Sequence, residues 1–368
     1  MSIRVWSYLE EYEQEKAEIH AAIEEVLQSG NLILSSQVSN FEEEFARYSG
    51  ARHGVGVANG TDALFLALTA LGVGAGDEVI TVSNTAVPTV AAIVSTGAHP
   101  RFVDVESETY LMDPEKIEGA ITQRTKCLLP VHLYGQCADM RAIQAVAQKH
   151  DLKIVEDCAQ SHGATQGGDK AGSMSDASAF SFYPTKLLGG YGDGGMVLSN
   201  RESIRDKLRR LRFYGMEGRY YALEHGYNSR LDELHAAILR KKLTHLDAYI
   251  QRRRELAQTY DRELSGTGLT LPRVAQGNEH AFYLYVVRHP ERDRIMAALK
   301  EREIFVNISY PWPIHTMPAY EQFGEGAGSL PVSEACANEI FSLPMYPALT
   351  DDEQRVVIDA LREVVPSP

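Results

Sequence analysis

Residues 78–105, EVITVSNTAVPTVAAIVSTGAHPRFVDV, decide the fold. A β-branched run at 78–83 passes through a polar turn into a helical pattern at 86–95, and an extended run returns at 100–105. Strands joined through a helix call for a crossover connection, and crossovers build parallel sheets that are covered on both faces. The same alternation extends in both directions. Further short runs rich in apolar residues lie at 53–57, 126–133, 152–157, 177–182 and 196–199, and helical patterns fill 61–71, 114–120 and 140–150. The seven runs predict one large α/β unit around a mostly parallel sheet. Ahead of it, residues 4–28 and 39–48 carry apolar positions at helical spacing.

The pattern changes after residue 202. Helices are expected at 203–211 and 229–254, the second long and charged. Beyond residue 266, strand candidates at 281–288 and 303–309 mix with helical patterns at 291–301, 331–340 and 350–364. The expected division is a large domain over 1–245, with an N-terminal helical segment, and a smaller C-terminal α+β domain over 246–368. No repeat or flexible linker separates them.

Composition narrows the function. The 368 residues hold 36 Lys+Arg against 50 Asp+Glu, a formal net charge of −14. That balance speaks against nucleic acid, whose phosphates demand clustered cations. The four cysteines form no C-x-x-C pair and no metal-type spacing, so no metal site and no disulfide is expected. There is no H-E-x-x-H and no P-loop, and His225 and His235 are too far apart to share a helical face as ligands. The acidic, amphipathic start resembles neither a signal nor a transit peptide. No apolar run approaches the roughly 20 residues that span a bilayer. A soluble, cytoplasmic protein is expected.

In an open parallel sheet, ligands bind beyond the carboxyl ends of the strands. Three polar clusters fall there. Asn59-Gly60-Thr61-Asp62 sits between the first strand and a helix, where backbone N–H groups and the Thr61 hydroxyl suit a phosphate, though the same residues also suit an ordinary helix cap. Val155-Glu156-Asp157 ends a buried run on adjacent acids, a costly arrangement unless a donor or cation meets them. Asp157 is therefore a candidate partner for a cationic ligand atom, with a strand-end cap as the alternative. In the third cluster, Ser181-Phe182-Tyr183-Pro184-Thr185-Lys186 runs into a glycine-rich stretch. Lys186 lies among apolar and small residues, where partial burial favours the neutral amine that a Schiff base needs. Gly190, Gly192 and Gly195 satisfy G-x-G-x-x-G, but they precede a strand instead of opening a helix, so no dinucleotide site is implied. Ser161-His162 lacks the G-x-S-x-G elbow of a hydrolase.

A phosphate site, a carboxylate beyond a central strand and a lysine after the next strand together describe a pocket for pyridoxal 5'-phosphate (PLP). The segments ANGTDALFLAL, VEDCAQSHGA, SFYPTKLLGGYGDGGMV and GYNSRLDELHAAIL resemble, in order and spacing, the DegT/StrS-type nucleotide-sugar aminotransferases of the aspartate aminotransferase superfamily. The resemblance spans essentially the whole chain. It implies the type I fold of PLP-dependent transferases, with Lys186 as Schiff-base lysine and proton carrier, and Asp157 pairing with the pyridinium nitrogen. It further implies Gln160 on the ring hydroxyl, and Gly60, Thr61 and Ser181 on the phosphate, helped by Asn228 from a second subunit. A homodimer with shared active sites follows from that last role. Tyr183, His315 and Ser36, the last in a segment at the pocket mouth, are implied substrate contacts. At the position where relatives often carry an aromatic residue stacked on the ring, this sequence has Ala86.

The implied reaction moves an amino group from an amino acid, glutamate in this family, through the pyridoxamine form of the cofactor to a nucleotide-linked keto-deoxysugar. The loops RFYGMEGRYYALEHGYNSRLDE and FVNISYPWPIHTMPAY look most like enzymes that aminate C3 of dTDP-linked 3-keto-6-deoxyhexoses. A C4 aminotransferase on a dTDP-, UDP- or GDP-4-keto sugar is the alternative. A PLP-dependent sugar dehydratase, in which histidine replaces the lysine, and a non-catalytic PLP-binding regulator are more distant ones.

Overall fold

A computed structural model describes residues 2–366. Its centre is a seven-stranded sheet in the order His53–Val57, Gly195–Ser199, Ala177–Ser181, Lys153–Asp157, Thr125–Leu128, Glu78–Val82, His99–Val103. Only Gly195–Ser199 runs against the others. The strands Glu78–Val82, Ala177–Ser181 and Gly195–Ser199 are buried at every position, because helices cover both faces of the sheet. That burial explains their continuous rather than alternating apolar pattern.

Residues 78–105 fold as the strand Glu78–Val82, the helix Val87–Ser95, and the strand His99–Val103, which pairs in parallel with Glu78–Val82. Pro88 lies in the helix's first turn, where its missing N–H costs nothing. The helix Gly60–Ala70 starts on Asn59, whose side chain accepts from the Asp62 N–H at 2.8 Å. The crossovers bring Ala58–Thr61, Ser83–Ala86, Cys158–Gln160 and Phe182–Lys186 to one edge of the sheet.

The C-terminal region differs from expectation in three places. The long helix at 229–254 is two helices, Glu233–Leu243 and Leu246–Leu264. At the break, the Thr244 hydroxyl bonds back to the Lys241 carbonyl at 2.7 Å, and the Thr244 and His245 N–H groups make i−3 bonds. Residues 303–309 form no strand; Ile304 pairs only with Ile3 and Asn307 only with Ser342. The partner of Tyr285–Arg288 is instead Ile340–Leu343, which directly follows the helix Pro331–Glu339. A separate apolar core gathers Leu256, Tyr260, Tyr285, Phe341 and Leu361, and Ile3 from the N-terminus is buried within it. The N-terminal strap thus packs with the C-terminal region. Among the described residues, no helix is long and apolar enough to cross a membrane.

Candidate active site

The phosphate-type cluster is shaped by close approach. A Cβ on Gly60 would lie 2.6 Å from the Ser181 Cβ, and one on Gly195 would lie 2.3 Å from the Asn59 carbonyl oxygen. Real Cβ atoms do not come so near, so glycine at both positions lets the helix N-terminus of Gly60–Ala70 close against the end of Ala177–Ser181. The free N–H groups of that helix start, the Thr61 hydroxyl and the Ser181 hydroxyl share this corner. Gly60→Ala is expected to push Ser181 aside at a cost of about 1–3 kcal/mol, lowering PLP affinity roughly 10- to 100-fold. Titration of apoprotein with PLP measures it.

The two adjacent acids separate because successive side chains of a strand face opposite ways. Glu156 is fully buried and spent on structure: its carboxylate accepts from Gly172 N, Met174 N, Ser175 Oγ and His132 Nε2. His132 Nδ1 accepts from Ala138 N at 3.1 Å, which places the proton on Nε2. Among the described residues, His132, Glu156 and Cys158 form one group with metal-like spacing. The histidine and carboxylate ligand atoms there are already engaged by these hydrogen bonds. The four cysteines are free and buried.

Asp157 points toward the sheet edge. One oxygen accepts from Ala159 N at 3.1 Å and the other from the Thr89 hydroxyl at 2.8 Å, and Thr89 in turn meets the Thr85 hydroxyl at 2.8 Å. Among the described residues, Asp157 makes no ion pair, although it is only 5% exposed. Burial raises its pKa, opposed by these two donors and by the nearby charge of Lys186. A carboxylate in this state is poised to receive a cationic donor.

Lys186 is half-buried, with Nζ 4.8 Å from the centre of the Tyr283 ring. The Tyr283 hydroxyl is 3.1 Å from Thr185 Oγ1. Gln160 is held from both ends: its Oε1 accepts from Tyr134 N at 2.8 Å, and its Nε2 donates to the Tyr310 hydroxyl at 3.0 Å. Burial, then the neighbouring Tyr283 and Asp157, push the Tyr310 hydroxyl up, so it stays neutral while it accepts from Gln160. Thr89, Tyr283 and Tyr310 were not anticipated from sequence. Thr89 could have been found, since it sits in the first turn of a helix that follows a strand's carboxyl end. The two tyrosines carry no local signal.

His162 is buried among Phe45, Phe180 and Phe182. Burial, followed by the charge of Lys186, draws its pKa down to about 3, so the ring is neutral. Ser161 turns to the Cys158 carbonyl, and this pair has no hydrolytic geometry.

The remaining expected contacts divide. Tyr183 is 51% exposed beside the lysine. Asn228 is exposed and pairs through its backbone with Phe213. It lies in a loop that also exposes Tyr214, Tyr220, Tyr221 and Leu223. His315, in contrast, is fully buried between Ser83 Oγ at 2.7 Å and Glu334 at 3.1 Å, so both ring nitrogens are taken by protein partners instead of facing a substrate. Ser36 opens the helix Ser36–Tyr48, whose first N–H groups are capped by the Glu233 carboxylate through Ser35, Gln37 and Val38.

Comparison with known proteins decides what this geometry belongs to. Residues 13–362 match the DegT/DnrJ/EryC1/StrS aminotransferase family. The chain belongs to that family. It is 58% identical, over 99% of both chains, to a dTDP-3-amino-3,4,6-trideoxy-alpha-D-glucose transaminase of Micromonospora megalomicea. The crystal structure of DesV from S. venezuelae, solved in complex with a ketimine intermediate, superposes with a TM-score of 0.97 at 44% identity, covering 98% of each chain. NtdA of Bacillus subtilis, solved with bound cofactor PMP, superposes with a TM-score of 0.89 at 30% identity, over 96% of this chain and 82% of that one. The protein is a PLP-dependent sugar aminotransferase of the type I fold.

The aminotransferase's own residues fit this cofactor. The Gly60–Ser181 corner leaves at a helix N-terminus the space that a single Cβ would fill. Asp157 is a buried carboxylate without a cation, which matches a protonated ring nitrogen. Lys186 lies nearby with no hydrogen-bond partner at Nζ among the described residues. Ala86, the helix cap at the usual stacking position, offers only a methyl group.

Proposed function

We propose that the enzyme is a 3-aminotransferase that converts a dTDP-linked 3-keto-6-deoxyhexose to the 3-amino sugar, with L-glutamate as amino donor. The observation that carries this reading is the 58% identity, end to end, with a transaminase named for a dTDP-3-amino sugar. PLP supplies the carbonyl group that takes up nitrogen and the protonated ring that accepts electron density.

The chain's residues divide the remaining work. Gly60, Thr61 and Ser181 hold the phosphate at the helix N-terminus, where unpaired N–H groups favour an anion. Asp157, fixed by Thr89 and Ala159, keeps the ring nitrogen protonated, and Gln160, fixed by Tyr134 and Tyr310, meets the ring hydroxyl. Lys186 carries the proton between cofactor carbon and substrate carbon in both half-reactions. Tyr183, Ser36 and the region near His315 border the sugar. Asn228 completes the phosphate site of a second copy. The exposed tyrosines of its loop support this homodimer, because four large exposed side chains in one segment are typical of a surface that a partner covers. The working location is the cytoplasm, and the chain divides into domains over 1–245 and 246–368, a reading supported by the separate apolar core of the C-terminal region, into which Ile3 of the N-terminal strap reaches.

An absorbance spectrum of the purified enzyme before and after glutamate tests the donor half. Conversion of the visible-edge band toward the ultraviolet is the expected result; an unchanged band refutes glutamate. Product NMR after reaction with dTDP-3-keto and 4-keto sugars then assigns the carbon, and nitrogen on C4 would replace the C3 reading.

A further inference from the structure

A cavity of about 300 Å³ borders Lys186, lined also by Trp6, Tyr191, Lys242, Arg253 and Pro347. Such a volume lies at the small end of ligand pockets and suits an amino-acid-sized molecule. Its walls come from distant parts of the chain: the N-terminal strap, the glycine-rich stretch after the lysine, the helix Leu246–Leu264 and the C-terminal core. Trp6 stacks on Tyr8 at 5.5 Å between centroids, and Tyr8 leans on Tyr191 at 5.9 Å. The wall is thus aromatic on one side, and on the other it carries Lys242 and Arg253 together with the Glu11 carboxylate.

The charges around the cavity are not balanced. Lys242 is neutralised by Glu11 at 2.8 Å and Glu15 at 2.9 Å. Arg253 is only 3% exposed, and its Nη1 donates to the carbonyls of Phe282, Tyr283 and Met345. Among the described residues, it has no carboxylate within ion-pair distance and no acceptor for Nε. Burial draws its pKa down to about 10, so it stays cationic at neutral pH. The carboxylate that acts on it, Glu11, is already paired with Lys242, and a buried guanidinium without an ion pair of its own is costly and favours an anion. The Tyr191 hydroxyl is likewise buried without a partner. An unpaired buried donor carries a desolvation cost that a ligand would relieve.

We propose that this cavity is the donor subsite, receiving the distal carboxylate of a dicarboxylic amino acid with Arg253 as its ion-pair partner and the Tyr191 hydroxyl as second donor. The aliphatic stem lies along Trp6 and Pro347, and the amino end lies toward Lys186. The inference rests on glutamate being the donor.

The test uses Trp6 as reporter. The chain has two tryptophans, and the other, Trp312, is 67% exposed. In a Trp312→Phe background, holoenzyme is titrated with glutarate, which has both carboxylates and no amine to react. A saturable change in Trp6 fluorescence, absent with butyrate, is expected. Tyr191→Phe should weaken glutarate binding and raise the KM for glutamate about tenfold with the KM for the sugar unchanged. Arg253→Lys, which keeps the cation, should retain part of the binding that Arg253→Gln loses. A hydroxyl that is merely unsatisfied predicts otherwise: Tyr191→Phe would raise the melting temperature and leave glutarate and glutamate untouched, which overturns the proposal. The parent reading is checked separately on the wild-type spectrum. Conversion by glutamate with Tyr191→Phe unaffected removes the subsite alone; no conversion removes the donor assignment and the subsite's ligand with it.

Discussion

Lys186→Ala should lower turnover by about 10⁴-fold or more, since the proposed function gives one side chain the roles of both nucleophilic amine and proton carrier. The fold should be untouched. Lys186 is half-buried, and its Nζ contact is with the face of Tyr283, not with a carboxylate whose loss would strand a charge. The variant should therefore melt close to wild type and still take up PLP, because Gly60, Thr61, Ser181 and Asp157 remain. Equilibrium dialysis against PLP measures retention, and single-turnover absorbance with glutamate measures chemistry. Amination at a rate near wild type would remove Lys186 from the reaction.

Asp157→Asn should be the second most damaging change, with turnover falling about 10²- to 10³-fold, the usual loss when one preorganised charge is removed from an active site. Its stability signature is as diagnostic as its kinetics. Burial raises the folded-state pKa of Asp157. A carboxyl with a raised folded pKa contributes fully to stability below its unfolded pKa and loses that contribution as pH rises through the folded value. Near neutral pH, ionised Asp157 therefore strains the cofactor-free protein. Apo Asp157→Asn should melt higher than apo wild type at pH 7, and the gap should close as the pH falls toward the carboxyl range. Added PLP should reverse the order, since only the wild type gains a charge pair with the ring nitrogen. Equal melting of the two apo forms across pH would show that Asp157 is an ordinary strand-end cap.

Much of the site was legible because its chemistry is local in sequence. Asn59-Gly60-Thr61, Asp157 with Gln160, and Ser181 through Lys186 each occupy one strand-to-helix or strand-to-loop junction, and a parallel sheet delivers all such junctions to one edge. The neighbouring acids show where local reading stops. Glu156 and Asp157 look alike as text, and only the strand's alternation and the contacts on each face make one a structural anchor for Gly172, Met174 and His132 and leave the other held by Thr89 and Ala159 without an ion pair. The break at Thr244 and the exchange of a strand at 303–309 for Ile340–Leu343 were equally illegible. Helical periodicity runs through a break of two residues, and a short buried run fits strand or helix until its partner is known.

The order of strands and helices, the three polar junctions, the lysine and its family were determined by the sequence alone, because backbone periodicity and motif spacing are properties of neighbouring residues. Which atoms stand beside Lys186 and Asp157 was decided only by tertiary structure. Thr89, Tyr283 and Tyr310 reach the site from separate elements, His315 is drawn instead to Ser83 and Glu334, and Arg253 and Tyr191 meet Trp6 around a cavity. Such groups come together because packing two cores against each other satisfies buried polar atoms across long sequence separations, and no local pattern records which atoms will be left without a partner.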